Sequence, residues 1–474
     1  MSDTIIYPSI DLFLYDLKDG LGQDEEQIND NCYHFCKKIY ANLDENTFQE
    51  KYAQIQKHKN SNADIIELLD IRIQPFSPPL DGWYYPLQLN DTYALQVNYS
   101  GKLDPNNKYN DHPQEINNQP FLTLKQEILQ KISQQSGTIG QTWLLWGKLT
   151  DPKSDTEIDK IAQTCYTQIL NNYDWQRDFI GKGSLGGATL FELWYQPENL
   201  GLTGKEFWDK FRAESYHILI WLFPHNQTPD EMRKQVQTLY YDFLRLFHYR
   251  HKIVWSYYQS RYQKSLLKNE YIEIQPAIHR IRELTQPGKP NRLNLNQLQK
   301  TLNDHLINLS DYALALHGLE NQSRTIEVNL ANYQDRTTAM INKYSGSDLQ
   351  LLEVFSSEIY AQKYQRQVES DCKNFQPGLT LLENLNNTIQ GIIDIERTKS
   401  DRALDDTIAI AGIGLAISGI TATAISVQNP PPTSYKDISD ISFFTSPVFV
   451  WSIGFSAPFL ILLFCRLIGR FFRR

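Results

Sequence analysis

Residues 407–426 read TIAIAGIGLAISGITATAIS and carry no formal charge. A helix of about twenty residues is roughly 30 Å long, which is the thickness of the hydrocarbon core of a bilayer. A second apolar segment covers residues 447–469, and the chain then ends with Arg470-Phe-Phe-Arg-Arg474. The pattern predicts that residues 407–474 form a two-helix transmembrane hairpin, with spans at 407–427 and 447–469 and a basic C-terminal tail.

The chain before this hairpin divides into two regions by its patterning. Residues 1–225 read as a cytoplasmic α/β domain, in which Thr92–Tyr99 and Thr142–Gly147 have the composition of strands. Residues 226–406 read as long helices, which begin at the helix-start signal Thr228-Pro-Asp-Glu231. The predicted fold class is an α+β cytoplasmic domain followed by long coiled-coil-like helices and a two-helix transmembrane hairpin.

The helical region carries a heptad pattern and an uninterrupted last helix. Leucines recur every seven residues, as in the seam of a coiled coil, at Leu295, Leu302, Leu309 and Leu316. The last helix is predicted to start at Pro377 and to run into the first span as far as Val427, because no further proline intervenes. Such a rod would couple the α/β domain to the membrane.

The distribution of charge predicts orientation and compartment. Arg397, Lys399 and Arg402 precede the first span, whereas the loop at 428–446 carries a single lysine. By the positive-inside rule, we expect a multi-pass protein of the inner or plasma membrane with both termini in the cytoplasm. No apolar segment follows Met1, so no signal peptide is predicted. The net charge of −9 gives no support for a nucleic-acid partner.

The first predicted span suits the wall of an oligomeric pore, because it is rich in small and hydroxylated residues. Acidic residues at its entrance would concentrate cations, and Asn429 is the candidate at the outer mouth. The pore-lining candidates are Asp405, Asp406, Thr407, Gly412, Ala416, Ser418 and Thr423. The alternative is that the two aspartates form an ordinary solvated helix surface beside Arg402, and that the small residues only pack.

At this level the layout resembles the CorA-type two-transmembrane divalent-cation channels. These have an α/β domain, long helices, a last helix that continues as the first span, and a basic tail. The resemblance covers the architecture from about residue 130 onward, and it implies a homo-pentamer in the lipid bilayer. It also implies a divalent cation such as Mg²⁺ as the transported ion, and no other cofactor is identified. The family's Gly-Met-Asn signature is absent, since this chain has Ser426-Val-Gln-Asn429.

Two short motifs resemble known sites but favour structural roles. Gly181-Lys-Gly-Ser-Leu-Gly186 has the spacing of a dinucleotide-binding loop, yet a strand-like stretch follows it where the phosphate site needs a helix. A glycine-rich turn or bulge between strands is therefore predicted. Cys32, His34 and Cys36 lack a second ligand pair, and His34 would point away from the cysteines on a helix.

A third motif combines histidines, an arginine and aromatic residues on one predicted helix. His248, Arg250 and His251 lie among several tyrosines and Trp255. This pattern is typical of an amphipathic packing face, and the alternative is a face that binds nucleotides or a partner helix. No phosphate-loop lysine, zinc-protease or serine-nucleophile motif is present in the sequence, so no enzyme activity is predicted.

Two functions follow from these observations. The first is an oligomeric membrane cation channel or transporter, gated by its cytoplasmic domain through the continuous helix from stalk to membrane. The second is a membrane-anchored sensor or scaffold, in which the α/β domain binds a ligand or partner and the hairpin only anchors and oligomerises the protein.

Overall fold

The computed structural model describes residues 3–401, except 42, 60, 62, 107, 171–173, 198–203, 285–294 and 345. The strands in these ranges are β1 (Thr4–Leu17), β2 (Ile65–Glu67), β3 (Gln74–Pro75), β4 (Leu80–Leu89), β5 (Thr92–Lys102), β6 (Pro113–Glu115), β7 (Gly140–Leu149), β8 (Phe179–Leu185), β9 (Ala188–Tyr195) and β10 (Tyr216–Phe223). The α-helices are α1 (Glu25–Tyr40), α2 (Glu45–Gln56), α3 (Pro120–Lys131), α4 (Asp155–Thr167), α5 (Trp175–Asp178), α6 (Gly204–Glu214), α7 (Pro229–Leu284), α8 (Leu295–Lys343), α9 (Gln350–Ser356) and α10 (Ala361–Asp401). A single 3₁₀ turn is described, at Ile116–Asn118.

The strands form one sheet with β1 near its centre. Its main path runs β2-β4-β5-β1-β7-β10-β9-β8, with β3 paired to β4 and β6 paired to β1. Of the described pairs, β7 and β10 are parallel and the others are antiparallel. Strands that are distant in the sequence therefore lie side by side, and residues from several parts of the chain meet around β1.

Helices α1 to α4 cover one face of this sheet. Successive side chains of a strand point to opposite faces, so Leu12 and Leu14 of β1 both point to this side. They are fully buried in one cluster with Phe35 of α1, Phe121 of α3 and Tyr166 of α4. This cluster is the main hydrophobic core of the α+β part.

The first half of α7 covers the opposite face. The ring of Phe247 lies 5.1 Å from that of Phe13 on β1, and the hydroxyl of Tyr15 donates a hydrogen bond of 2.7 Å to the carbonyl of Leu244. The predicted start of this helix is confirmed. Thr228 and Glu231 form the two reciprocal hydrogen bonds of a capping box, at 2.8 Å and 3.2 Å.

The chain separates into two compact units. Among the described residues, one unit contains those up to 258 together with 324–365, and the other contains those of 259–323 together with 366–401. Helices α7, α8 and α10 contribute residues to both. In the second unit the heptad face of α8 is buried at Tyr312, Leu316 and Leu319.

The last described helix corrects one prediction. Pro377 does not start a helix but lies inside α10, which begins at Ala361. A proline removes one helical hydrogen bond and bends the helix. Here the hydroxyl of Tyr312 donates a 2.7 Å hydrogen bond to the carbonyl of Phe375, close to the proline. A Cβ atom at Gly378 would collide with that same hydroxyl, so the close approach needs glycine.

The structure also corrects the prediction of a multi-pass membrane protein with a transmembrane hairpin. In the part of the chain that it describes, no helix is long and apolar enough to cross a membrane. The long helices α7, α8 and α10 carry charged residues throughout, which a bilayer core disfavours. The predicted spans at 407–427 and 447–469, and the continuation of the last helix to Val427, lie outside the described residues. What stands of the predicted fold class is the α+β part followed by long helices.

Candidate ligand-binding cleft

An open cleft of about 850 Å³ lies beside the start of α7. Its walls come from three parts of the chain: the β3–β4 segment, the loop after β5, and the first turn of α7. The lining residues are Pro75, Phe76, Pro78, Leu80, Asp81, Gly82, Trp83, Leu103, Asp104, Lys108, Tyr109, Asp111, Asp230 and Arg233. Half-apolar clefts with a few convergent polar groups are typical of small-molecule sites.

A bulge in β1 supports one side of the cleft. The register of β1 against β7 shifts between Ile6 and Ser9, and Tyr7 has a φ angle of 51°. This left-handed conformation is uncommon for a bulky residue, and such bulges often redirect a side chain. The Tyr7 ring packs on Trp146 of β7 at 5.6 Å, while its hydroxyl donates a hydrogen bond of 2.7 Å to Asp81 Oδ2.

Arg233 closes the cleft from the side of α7. Its guanidinium lies 4.8 Å from the centre of the Tyr7 ring and 4.4 Å from that of Tyr109. It donates hydrogen bonds of 2.6 Å to Asp111 and 2.5 Å to Asp230. Stacking between two rings and pairing with two carboxylates use the planar guanidinium in ways that a lysine cannot reproduce. The first turn of α7 is thereby tied to β1 and to the loop after β5.

The floor of the cleft joins one carboxylate to an aromatic surface. Burial raises the pKa of Asp81, while the Tyr7 hydrogen bond and Arg233 oppose this rise. Next to it, the ring of Trp83 is held edge-on by Tyr240 of α7 at 5.2 Å. Desolvation and the nearby charge of Asp81 raise the pKa of Tyr7 above its ordinary range, so its hydroxyl stays protonated and can donate.

Behind Tyr7 lies a buried polar group on β1. Asp11 accepts hydrogen bonds from the indole of Trp146 at 2.7 Å and from Gln96 at 3.2 Å. Burial raises the pKa of Asp11 to about 7, although these hydrogen bonds oppose the rise. Trp146 therefore touches both Asp11 and Tyr7, and it connects the buried carboxyl to the wall of the cleft.

A second buried polar network links the sheet to the middle of α7. Thr142 Oγ1 lies 2.8 Å from His217 Nδ1 and 2.7 Å from His251 Nε2, and His217 Nε2 lies 3.1 Å from Glu192 Oε1. Burial raises the pKa of Glu192 to about 7, against the attraction of Arg250. Burial also lowers the pKa values of His217 and His251 well below their usual range.

Arg250 borders this network as a buried cation. Its guanidinium is sandwiched between the rings of Trp194 at 4.3 Å and Phe355 of α9 at 4.4 Å. Its nearest carboxylate oxygen, on Glu192, is 3.7 Å from Nε, which is too long for a hydrogen bond. The network is enclosed by protein on all sides, so we place the candidate site in the open cleft rather than here.

The structure assigns packing roles to the motifs singled out in the sequence. The predicted glycine-rich turn or bulge is confirmed: Gly181 and Gly183 lie in β8, whose register against β9 shifts between Phe179 and Gly181, and Gly186 and Gly187 form the β8–β9 turn with positive φ. On α1 the two cysteines are buried and His34 is exposed, on the other side of the helix.

The aromatic-basic motif of α7 is a packing face, since its two histidines and Arg250 are buried against the sheet. The pore-lining candidates at positions 405–423 and the outer-mouth candidate Asn429 lie outside the described residues. Within those described, no group of three or more histidine, cysteine or acidic side chains could hold a metal ion. Mg²⁺ as the transported ion stays a prediction.

The residues of the cleft were not predicted from the sequence. The sequence predicted only the start of the helix that carries Arg233. Tyr7, Asp81 and Asp111 are far apart in the chain and belong to no motif.

The CorA-type resemblance, the homo-pentamer and the lack of enzyme activity remain predictions. Compared with known proteins, the chain matches no protein-family model, no curated protein and no solved structure.

Proposed function

We propose that the α+β part of this protein is a ligand-sensing module whose output is helix α7. A small molecule enters the cleft beside Asp81, and its presence is passed to α7 through Arg233. This is the ligand-sensing role of the α/β domain that was weighed from the sequence, and it uses no contact outside the described residues. The channel function depends on the membrane spans corrected above and is not proposed.

The observation that carries the proposal is the position of Arg233. It lines the cleft, yet it also belongs to the first turns of a helix that begins at Pro229 and ends at Leu284. Its partners Tyr7, Tyr109 and Asp111 come from outside the helix. A ligand that rearranges any of these partners changes the contacts of α7 at the same time.

A ligand shifts a conformational equilibrium only through contacts that differ between the two states. Tyr109 supplies such a contact, because its side chain is 52% exposed and rests on Arg233 from a loop. Loops with exposed side chains rearrange at low energetic cost, whereas the packed sheet does not. The loop after β5 is therefore the movable wall, and β1 with Tyr7 is the fixed one.

The middle of α7 is fixed to the sheet, which makes the helix a suitable output element. His251 reaches Thr142 of β7, and Phe247 packs on Phe13 of β1. These contacts keep the helix from unfolding locally when the contacts of its first turn change. The change is therefore transmitted as a small displacement of the packed helix.

A tethered probe tests this proposal without knowledge of the natural ligand. Lys108 lines the cleft and is exposed, so Lys108→Cys can be coupled to a benzyl methanethiosulfonate. Cys372 and Cys465 are changed to serine beforehand so that they do not react with the probe. Cys32, Cys36 and Cys165 are kept, because they are buried and react slowly. Hydrogen exchange of the α7 amides is then followed by mass spectrometry.

We expect the probe at position 108 to slow exchange in the first half of α7. The same probe at Lys57→Cys, an exposed site at the end of α2, serves as the matched control and should leave α7 unchanged. Complete labelling at position 108 with no change in α7 exchange contradicts the proposal.

A further inference from the structure

We propose that the ligand of this cleft is an organic cation, an ammonium or guanidinium group on an apolar body, with its charge at Asp81 and its body against Trp83 and Phe76. This inference rests on the proposed sensing function, because it names the chemical class of the ligand for the same cleft.

The charge of the lining favours a cation. Four aspartates, Asp81, Asp104, Asp111 and Asp230, face two basic side chains, Lys108 and Arg233, which leaves a formal charge of −2. A cleft with an excess of one sign of charge raises the local concentration of ligands of the opposite sign. Of the two basic side chains in the described lining, only Lys108 would be available to an anionic ligand, since Arg233 is already paired with two carboxylates.

Asp81 is the carboxylate that remains for a ligand. Asp111 and Asp230 pair with Arg233, and Asp104 accepts the backbone N–H groups of Asn106 and Lys108. Asp81 accepts one hydrogen bond, from Tyr7 to its Oδ2. No hydrogen bond to Oδ1 is present within the described residues, and Asp81 lines the cavity.

Partial burial makes this carboxylate receptive to a counter-ion. Burial raises the pKa of Asp81, which means that its ionised form is short of solvation. A bound ammonium or guanidinium group supplies the missing charge-assisted hydrogen bonds. A cationic ligand therefore gains from the same desolvation that disfavours the free carboxylate.

Aromatic rings beside Asp81 suit the apolar body of such a ligand. Trp83 is fixed by its edge-to-face contact with Tyr240, and Phe76 packs over Gly82, where an added Cβ would lie only 2.7 Å from the ring. Cations bind favourably over the face of tryptophan, and a rigid ring also offers apolar contact area. Asp81 and Trp83 are separated by a single residue, so one ligand can engage both.

A bare divalent metal ion fits this cleft less well than an organic cation. Mg²⁺ and Ca²⁺ take about six or more oxygen ligands from carboxylates, carbonyl groups and water. Here Arg233 holds two of the neighbouring carboxylates, and the aromatic walls offer no metal ligands. The cleft therefore combines one carboxylate with apolar surface, which matches an amine or guanidine.

Three probes of nearly equal shape test the proposal on the full chain. Phenethylammonium carries a positive charge, 2-phenylethanol is neutral and phenylacetate is negative, and binding of each is measured by isothermal titration calorimetry. We expect phenethylammonium to bind about tenfold more tightly than the alcohol, and phenylacetate to show no binding. Equal binding of the alcohol, tighter binding of phenylacetate, or no binding of phenethylammonium overturns the proposal.

Variants locate the bound cation. Asp81→Asn keeps the shape of the side chain and should weaken phenethylammonium binding about tenfold, while leaving 2-phenylethanol unchanged. Asp30→Asn, at an exposed position of α1, is the matched control and should have no effect. Phenethylammonium binding that survives Asp81→Asn contradicts the inference, and circular dichroism confirms that the variant is folded.

The two proposals fail in different ways. If phenethylammonium does not bind but the probe tethered at position 108 still slows exchange in α7, the ligand class is wrong and the sensing function stands. If phenethylammonium binds at Asp81 but the tethered probe leaves α7 unchanged, the site is a cation site without an output through this helix.

Discussion

The hydroxyl of Tyr7 donates a 2.7 Å hydrogen bond to Asp81 Oδ2, and the two residues lie 74 positions apart in the sequence. Tyr7 is buried and sits on a bulge of the central strand with a φ of 51°. A residue held in this uncommon conformation, at the wall of a cleft, is typical of functional sites. The bond ties the floor of the cleft to the centre of the sheet.

Removing that hydroxyl is expected to destabilise the α+β part. Tyr7→Phe keeps the ring contacts with Trp146 and Arg233 but leaves Asp81 without its donor. Hydrogen bonds to charged groups are worth about 1.5–3 kcal/mol, so urea unfolding should show a loss of about that size. The double variant Tyr7→Phe/Asp81→Asn should lose less than the sum of the two single changes, because the two residues interact directly. Additive losses contradict the bond.

Arg233→Lys is expected to behave like Arg233→Ala rather than like the parent. A lysine keeps the charge but cannot stack between Tyr7 and Tyr109 while pairing with two carboxylates. Each variant should lose about 1–2 kcal/mol in urea unfolding and should expose the loop after β5 to faster hydrogen exchange. Full stability of Arg233→Lys means that charge alone holds the first turn of α7.

Much of the fold, but not the cleft, could be predicted from the sequence. The helix start at Thr228 could be predicted because Thr-Pro-Asp-Glu is a local signal, and strand β5 could be predicted because Thr92–Tyr99 has the composition of a strand. The cleft depends instead on register. Asp81 reaches Tyr7 only because β4 pairs with β5 and β5 pairs with β1, and no local pattern encodes those pairings.

The misplaced helix start at Pro377 has a local cause. Proline is favoured in the first turn of a helix, so the residue itself suggested a boundary. In α10 the surrounding contacts override that preference, as shown by Tyr312 bonding to the carbonyl of Phe375 and packing against Gly378. Tertiary packing of this kind lies outside what spacing alone can predict.

Gly378→Ala is therefore expected to destabilise the second compact unit. The new methyl group collides with the hydroxyl of Tyr312, and overpacking of this kind costs about 1–3 kcal/mol. Tyr312→Phe in the same background removes the colliding oxygen and should recover part of the loss in urea unfolding. Gly391→Ala is the matched control, since a Cβ there meets nothing within 4 Å and should be neutral or stabilising.

Glu192 is expected to make stability fall as pH rises. Its folded pKa of about 7 lies above its ordinary value of 4.5, so the folded state holds the proton more tightly than the unfolded state. The contribution is fully present below pH 4.5 and is lost as pH rises to about 7. At about 1.4 kcal/mol per pKa unit, it amounts to roughly 3 kcal/mol at most.

Other titratable groups next to Glu192 also change stability with pH, so the parent has to be compared with the variant Glu192→Gln. His217 of β10 and His251 of α7 have lowered pKa values, so their contributions have the opposite sign and are lost as pH falls below about 6.5. Arg250 of α7, which stays charged, opposes the rise in the Glu192 pKa, and Tyr333 of α8 lies close by. Urea unfolding of the parent and of Glu192→Gln between pH 5 and 8 isolates the glutamate. The parent should lose stability relative to the variant as pH rises, and parallel curves contradict the assignment.

Occupancy of the cleft is expected to reach α7 through Arg233. This coupling is tested most directly by hydrogen exchange of the α7 amides in Lys108→Cys, with and without the tethered benzyl group, in the parent and in the Arg233→Gln background. We expect the tether to slow exchange in the parent and to have no effect on α7 once Arg233 is replaced. Equal slowing in both backgrounds, or none in either, contradicts it.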